Sequence, residues 1–332
     1  MRVGPVYGRT KRRAIVDTDP GVDDAMTIAF LQSRPEVTIE AFTTVFGNGG
    51  VAVTARNAAY LAHRFGIDAP VFAGADVPLA MPRRILATHV HGHDGLGETG
   101  LADDFRFDAP LEPAHAAIVR IIRANPGEIS ILAIGPLTNL ALALQAAPEI
   151  APLVREVVVM GGAFGYGGRR GNVSPVAEAN VANDPHAADA VLGAPWPVTM
   201  VGLDVTTGCI LSSHAARDIA QRGGDRGQLL WNISRKYEQL YRDYDKIDGC
   251  CIHDVAAAVR LVAPELFSTR SGPVRVSTEG ITIGETIQKA DDMAFPPSAW
   301  DARPSQAVCV SVDVHDVVAF YVQTLTEARP AS

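Results

Sequence analysis

From residue 13 onward, short apolar runs alternate with segments of helical spacing, and this alternation constrains the fold more than any other feature. The runs Arg13–Thr18, Val37–Phe46, Ile129–Ile134, Glu156–Met160, Val198–Leu203 and Gln306–Val314 read as strands. Between them, Asp23–Gln32, Val51–Phe65, Pro113–Ala124, Leu137–Gln145, Ala187–Leu192, Gln228–Tyr244, His253–Val262 and Val317–Leu325 read as helices. Strands separated by helices cannot pair through tight hairpins. They need crossovers, so the expected architecture is α/β: a mostly parallel central sheet flanked by helices, Rossmann-like in layout. Ala73 to Ala109 fits neither pattern. It is polar, punctuated by glycine and longer than the ~12–15 residues of ordinary structureless loops, which points to a functional segment. With no internal repeat or linker in view, the expected organisation is a flexible leader over residues 1–12 and one domain over 13–332.

Composition narrows the function classes. The net charge is −8, and lysine occurs only at positions 11, 236, 246 and 289. A nucleic-acid binder would carry a basic stripe, so nucleic acid is excluded as a partner. Lys11-Arg12-Arg13 resembles the start of a signal peptide, but only Ala14-Ile15-Val16 follows before Asp17. A signal needs roughly 7–15 apolar residues and a membrane helix ~18–20, so neither export nor membrane insertion is expected. Cys209, Cys250, Cys251 and Cys309 form neither a disulfide framework nor a zinc spacing, and a cytoplasmic setting is the simplest reading.

The chemistry concentrates in Asp17-Thr18-Asp19-Pro20-Gly21-Val22-Asp23-Asp24. Four carboxylates in eight residues repel one another unless a cation sits among them. They fall where a strand ends and a helix begins, the place where open α/β sheets collect their ligands. A hard divalent ion held by oxygens, calcium or magnesium, would relieve the repulsion; the bland alternative is an acidic turn leading into a helix. No glutamate stands at the twelfth position, so the run is not an EF-hand loop. His253-Asp254 opens an apolar helix and alone reads as a capping residue with a first-turn acid. Asn172 to Asn180, including Glu178, reads either as a polar loop or as a set of partners for a ligand bearing several hydroxyls. His89, His91 and His93 alternate, which on a strand could bind zinc; their glycine neighbours favour a loop and a single ligand contact.

Taken together, these blocks resemble the nucleoside hydrolases of the inosine–uridine-preferring family. After Asp17–Asp24 come Val45-Phe46-Gly47-Asn48, His91-Gly92-His93-Asp94-Gly95-Leu96, Ala133 to Asn139, Met160-Gly161-Gly162, Glu178-Ala179-Asn180 and His253-Asp254, all in the family's order. The match spans roughly residues 13 to 262. The resemblance implies calcium-dependent hydrolysis of the N-glycosidic bond of ribonucleosides, releasing base and ribose for salvage, by a dimer or tetramer. Asp19, Asp24, Asp254 and the backbone carbonyl of Ile134 correspond to the family's calcium ligands. Asp23, Asn48 and Asn180 correspond to partners of the ribose 2′- and 3′-hydroxyls, Asn172 and Glu178 to partners of the 5′-hydroxyl, and Met160 to a pocket wall. Asp19 would take a proton from the attacking water, and His253 would serve as acid to the departing base. Tyr237 and Tyr241, four apart on one helical face, align with tyrosines beside the base, although such a pair serves packing equally well. His91 aligns with a base-side histidine, and residues 73–109 with a lid. His93-Asp94 stands where many relatives carry other polar residues, and the sequence assigns it no effect on base preference.

Two rivals account for part of this pattern. A haloacid-dehalogenase-type phosphatase would use Asp17 as nucleophile, but it leaves His253-Asp254 and Glu178-Ala179-Asn180 without a role. A non-catalytic calcium-dependent sugar-binding protein would keep Asp19, Asp24 and Asp254 and have no use for an acid at His253.

Overall fold

The computed structural model describes residues 10–327. Its strands are β1 (Arg12–Thr18), β2 (Val37–Thr44), β3 (Val71–Ala73), β4 (Ile129–Ala133), β5 (Glu156–Met160), β6 (Val198–Val201), β7 (Ile210–Ser212), β8 (Gly249–Cys251), β9 (Phe267–Val276), β10 (Thr286–Gln288) and β11 (Ser305–Val312). The α-helices are α1 (Val22–Gln32), α2 (Val51–Phe65), α3 (Thr88–His91), α4 (Ala114–Ala124), α5 (Thr138–Ala146), α6 (Ala179–Asn183), α7 (Pro185–Leu192), α8 (Leu203–Thr206), α9 (Ser213–Arg222), α10 (Gly224–Tyr244), α11 (His253–Val262) and α12 (Val314–Thr326).

Among the described residues the main sheet has nine strands in the order β10-β9-β11-β6-β5-β4-β1-β2-β3. Every pairing from β3 across to β11 is parallel, and β9 and β10 add an antiparallel edge. The expected parallel sheet is therefore present. β7 and β8 form a separate antiparallel pair.

Both faces of the sheet are covered, which explains why its strands read as continuous apolar runs rather than as alternating ones. Successive residues still point to opposite sides. Ala14, Val16, Leu132, Val158 and Val201 join a core shared with α1, α2, α9, α10, α11 and α12. Ile15, Ile131, Ala133, Val157 and Met200 join a second core with α4, α5 and α7. The result is a three-layer α/β/α sandwich.

The sheet order fixes where a site can form. β1 has β2 on one side and β4 on the other, so the chain leaves its carboxyl end in opposite directions and opens a crevice there. The ladder continues past the strand ends: Val45 N–H donates to Thr18 O at 3.1 Å and Ile134 N–H to Asp17 O at 2.8 Å. These bonds hold the three post-strand loops, carrying Asp19, Asn48 and Ile134, side by side.

Beneath the crevice lies a buried polar knot. Asp17 accepts from Thr43 Oγ1 at 2.6 Å and Asn139 Nδ2 at 2.8 Å. Asn139 also donates to Thr44 O at 3.0 Å and accepts from Ala75 N–H at 2.9 Å, joining β1, β2 and the segment after β3. Asn139→Ala strands these buried groups and is expected to destabilise the fold by about 3 kcal/mol, read as a lower urea midpoint at unchanged slope.

Some boundaries differ from the sequence expectation. β1 begins at Arg12, inside the expected leader, and the leader's residues 1–9 lie outside the described residues. Arg12 is held there because its N–H donates to Glu36 O at 2.8 Å. The strand expected over Val198–Leu203 stops at Val201, and Leu203 already turns into α8. Residues 73–109 are mostly irregular, as expected, but contain the short helix α3.

Candidate active site

A cavity of about 590 Å³ opens at the carboxyl ends of β1, β4 and β5. Its lining includes Asp23, Asn48, Ile134, Met160, Asn172, Glu178, Asn180 and Asp254 at one end, with His91, Tyr237, Tyr241 and His253 completing the wall. Fourteen residues named from the sequence were candidates for one site. Twelve of them line the cavity or touch its floor in this way, and Asp19 and Asp24 sit just below the surface, fully buried.

Two helix N-termini aim carboxylates at this floor. Asp23 and Asp24 occupy the first turn of α1, and Asp254 the first turn of α11, positions favoured by the helix dipole. Asp23, Asp24 and Asp254 each offer an oxygen within 4.8 Å of the others. Asp19 joins them from β1: Asn48 bridges the two, its N–H donating to Asp19 Oδ2 at 2.8 Å and its Nδ2 to Asp24 Oδ2 at 3.2 Å. Gly47 and Gly135 permit this approach. A Cβ at Gly47 would lie 1.9 Å from Asp19 Oδ2, and one at Gly135 2.8 Å from Asp19 Oδ1.

The electrostatics suit a bound cation. Burial pushes all four carboxyls above the ordinary range, and mutual repulsion adds to this at Asp19, Asp23 and Asp254. Asp24 is partly compensated by Thr18 Oγ1 at 2.5 Å and Gly21 N–H at 2.9 Å. Asp19 Oδ1 is buried with no hydrogen-bond partner. An orphaned oxygen beside three more carboxylates is the donor set of a hard divalent ion, and the residues fit one.

The neighbouring wall supplies hydroxyl partners. Glu178 caps α6, accepting from Asn180 N–H at 2.8 Å, Val181 N–H at 3.1 Å and Gly162 N–H at 3.0 Å. These bonds fix its carboxylate at the cavity edge. Asn180 Nδ2 donates to Ile134 O at 3.0 Å and Met160 O at 3.3 Å, drawing β4, β5 and α6 together. Asn172 Oδ1 accepts from Ala179 N–H at 3.0 Å.

At the other end, rings form a chain. His91 stacks on Tyr237 with centroids 5.3 Å apart, and Tyr237 meets Tyr241 edge-on at 5.1 Å. Tyr241 OH lies 2.9 Å from His253 Nε2, and Thr206 Oγ1 lies 2.7 Å from His253 Nδ1. Burial, with the Arg169 charge nearby, lowers the His253 pKa to about 4, so the imidazole is neutral at pH 7. His91 is buried too, pulled down to about 3, and its Nδ1 accepts from Val22 N–H at 3.2 Å. His91 therefore caps the helix that carries Asp23 and Asp24. Lys236 Nζ ties the segment after α3 to α10 through Glu98 at 3.2 Å.

The departure at His93-Asp94 has a structural explanation. Asp94 turns inward and accepts from Leu96, Glu98 and Gly100 N–H at 2.8, 2.9 and 2.8 Å, while His93 points outward to Glu98. Neither lines the cavity. Asp17 is fully buried beneath the cavity and does not line it, which removes the nucleophile that a phosphatase would need. Thr206 and Arg169 escaped the sequence reading. Thr206 stands just past β6, and the strand-end rule could have drawn attention to it; Arg169 sits in the glycine-rich stretch without a motif of its own.

The sequence profile of the inosine-uridine preferring nucleoside hydrolases matches residues 14–319. The chain belongs to this nucleoside hydrolase family. Among its relatives, a probable uridine nucleosidase of Oryza sativa subsp. japonica is 37% identical over 320 residues, covering 94% of this chain and 96% of that one. A non-specific ribonucleoside hydrolase of Escherichia coli O127:H6 is 37% identical over 284 residues, covering 85% and 90%. A solved plant nucleoside hydrolase superposes with a TM-score of 0.90 at 34% identity, covering 96% of this chain and 99% of its own. As a nucleoside hydrolase the chain is an N-glycosidase with a small-molecule nucleoside substrate, and its carboxylate cluster is the candidate metal site of the family. Among the described residues, no helix is long and apolar enough to cross a membrane.

Proposed function

We propose that this nucleoside hydrolase is calcium-dependent and cleaves ribonucleosides, uridine among them, to base and ribose. The observation that carries the reading is the convergence of four buried carboxylates on a cavity floor whose next wall bears Asn48, Asn172, Glu178 and Asn180. Asp19, Asp24, Asp254 and the carbonyl of Ile134 would hold the ion. When bound, it would acidify a water and orient the ribose diol. The uridine assignment is supported by the relatives' names, uridine nucleosidase and non-specific ribonucleoside hydrolase.

The chain's own groups divide the work. Asp23, Asn48 and Asn180 bind the 2′- and 3′-hydroxyls, and Asn172 and Glu178 the 5′-hydroxyl. Met160 lines the sugar pocket. Asp19 accepts the proton of the attacking water, and its orphaned oxygen leaves it a free lone pair for this. His91, Tyr237 and Tyr241 enclose the base. His253 serves as the acid: its protonated form delivers the Nε2 proton through the Tyr241 hydroxyl to the departing base and returns to the neutral ring that burial favours. The lid of residues 73–109 excludes water while the glycosidic bond breaks. The reading also includes base and ribose salvage, a cytoplasmic setting suited to four free buried thiols, and a homo-oligomer.

A substrate panel tests it. With calcium present, purified protein is given uridine, inosine and their 2′-deoxy analogues, and free sugar is measured. Ribose release is expected from the ribonucleosides, with 2′-deoxyuridine slower by about 10³-fold or more in kcat/KM, because a missing hydroxyl leaves buried polar groups unpaired. Equal rates on uridine and 2′-deoxyuridine would contradict the assigned hydroxyl contacts. No sugar from any ribonucleoside would end the proposal.

A further inference from the structure

At the mouth of the cavity, the glycine-rich stretch between β5 and α6 brings one fixed positive charge to the base side of the site. Arg169 is the only arginine or lysine among the described residues that line the cavity. The stretch that carries it is anchored at its start, where Asp204 accepts from Phe164 N–H at 2.8 Å and Tyr166 N–H at 2.7 Å. It is anchored again where it ends, by Asn172 against Ala179. Arg169 faces Asp245 just beyond the end of α10, but at 3.8 Å, outside hydrogen-bond range. The contact is a long ion pair, which leaves the guanidinium donors without a hydrogen bond to that carboxylate. Tyr241, Tyr244, Cys251 and His253 share this end of the cavity with it.

The departing base needs such a charge. As the C1′–N bond breaks, its electron pair leaves with the base, while water bonds to C1′ and gives its proton to Asp19. The base carries developing negative charge until a proton reaches its nitrogen. His253 cannot meet that charge directly, since both ring nitrogens are engaged by the hydroxyls of Thr206 and Tyr241 at 2.7 and 2.9 Å. We infer that Arg169 stabilises the negative charge that develops on the departing nucleobase, its planar donors facing the oxo oxygens of a uracil- or hypoxanthine-type base. The inference rests on the proposed placing of the base at the tyrosine–histidine end. A cation at the cavity mouth contributes most to rate where the charge it meets appears only in the transition state.

A leaving-group series tests this. Uridine, 5-fluorouridine and p-nitrophenyl riboside depart with increasing ease and so need decreasing help. Arg169→Ala is expected to lower kcat/KM by about 10²-fold on uridine, less on 5-fluorouridine, and by no more than about threefold on p-nitrophenyl riboside. Arg169→Lys keeps the charge without the fork and should recover about tenfold of the uridine loss. Arg170, next in sequence, pairs with Glu285 at 3.7 Å and does not line the cavity. Arg170→Ala is the control for disturbing the loop, and its effect should be the same on all three substrates. Equal losses across the series for Arg169→Ala, or a loss no larger than that of Arg170→Ala, would overturn the role of Arg169 alone. Failure of the unaltered chain to release ribose from uridine would instead overturn the substrate reading, and the role of Arg169 with it.

Discussion

Replacing Asp19 with alanine is expected to lower ribose release by about 10³-fold or more while the protein keeps its circular dichroism and cooperative unfolding. The separation of activity from folding follows from the geometry. Asp19 makes one hydrogen bond through Oδ2, to the Asn48 N–H at 2.8 Å, and its Oδ1 has no partner. Losing the side chain thus strands one donor, at a cost of about 1–3 kcal/mol, and removes one charge from a repelling cluster. Those two effects oppose each other, so stability moves little. The loss in turnover has no such offset, because proton acceptance and a ligand position disappear together. Asp19→Asn, close to isosteric, should lose nearly as much activity. A parallel collapse of activity and folding in both variants would show that Asp19 is structural.

The second large effect concerns metal removal and pH. In the metal-free protein, burial and repulsion raise the Asp23 pKa to about 8, and burial raises that of Asp17 to about 7. Asp19 and Asp254 are pushed up in the same direction. Each group binds its proton more tightly folded than unfolded, so the folded state carries the extra protons. Stability is then fullest near pH 4 and declines as pH rises toward about 8. Calcium is expected to reverse the decline by stabilising the ionised carboxylates. At a hundred times its Kd the ion would add about 2.7 kcal/mol, a Tm rise of about 4 °C for a chain of this size. Scanning calorimetry from pH 5 to 8, with and without calcium, checks this. The gap between the two curves should widen with pH, and a constant gap would contradict a carboxylate site.

Much of this was legible in the sequence, and for identifiable reasons. Buried parallel strands such as Ile129–Ala133 and Glu156–Met160 stand out because both faces must be apolar. The Asp17–Asp24 run stands out because so many close carboxylates are costly without a counter-charge. Asp254 was harder: alone it is an ordinary first-turn acid, and only the packing of α11 against α1 brings it to Asp23 and Asp24. The β9–β10 edge was missed because Phe267–Val276 mixes exposed serine and threonine and half-buried arginine with its apolar residues, leaving no clean alternation. Arg169 gave no signal and Thr206 only its place after a strand end, since their relevance lies in contacts with residues tens of positions away. The reverse also held. His93-Asp94 stood out as a departure from the family, and the structure uses Asp94 to tie its own loop.

We propose that the buried carboxylates make this nucleoside hydrolase work by holding one calcium ion. The most direct measurement strips the protein with a chelator and titrates calcium back while following ribose release from uridine and the amount of ion bound. Turnover is expected to start near zero and rise to saturation as one ion binds per chain. Full turnover in the stripped protein, or activity that rises without stoichiometric binding, would contradict the account.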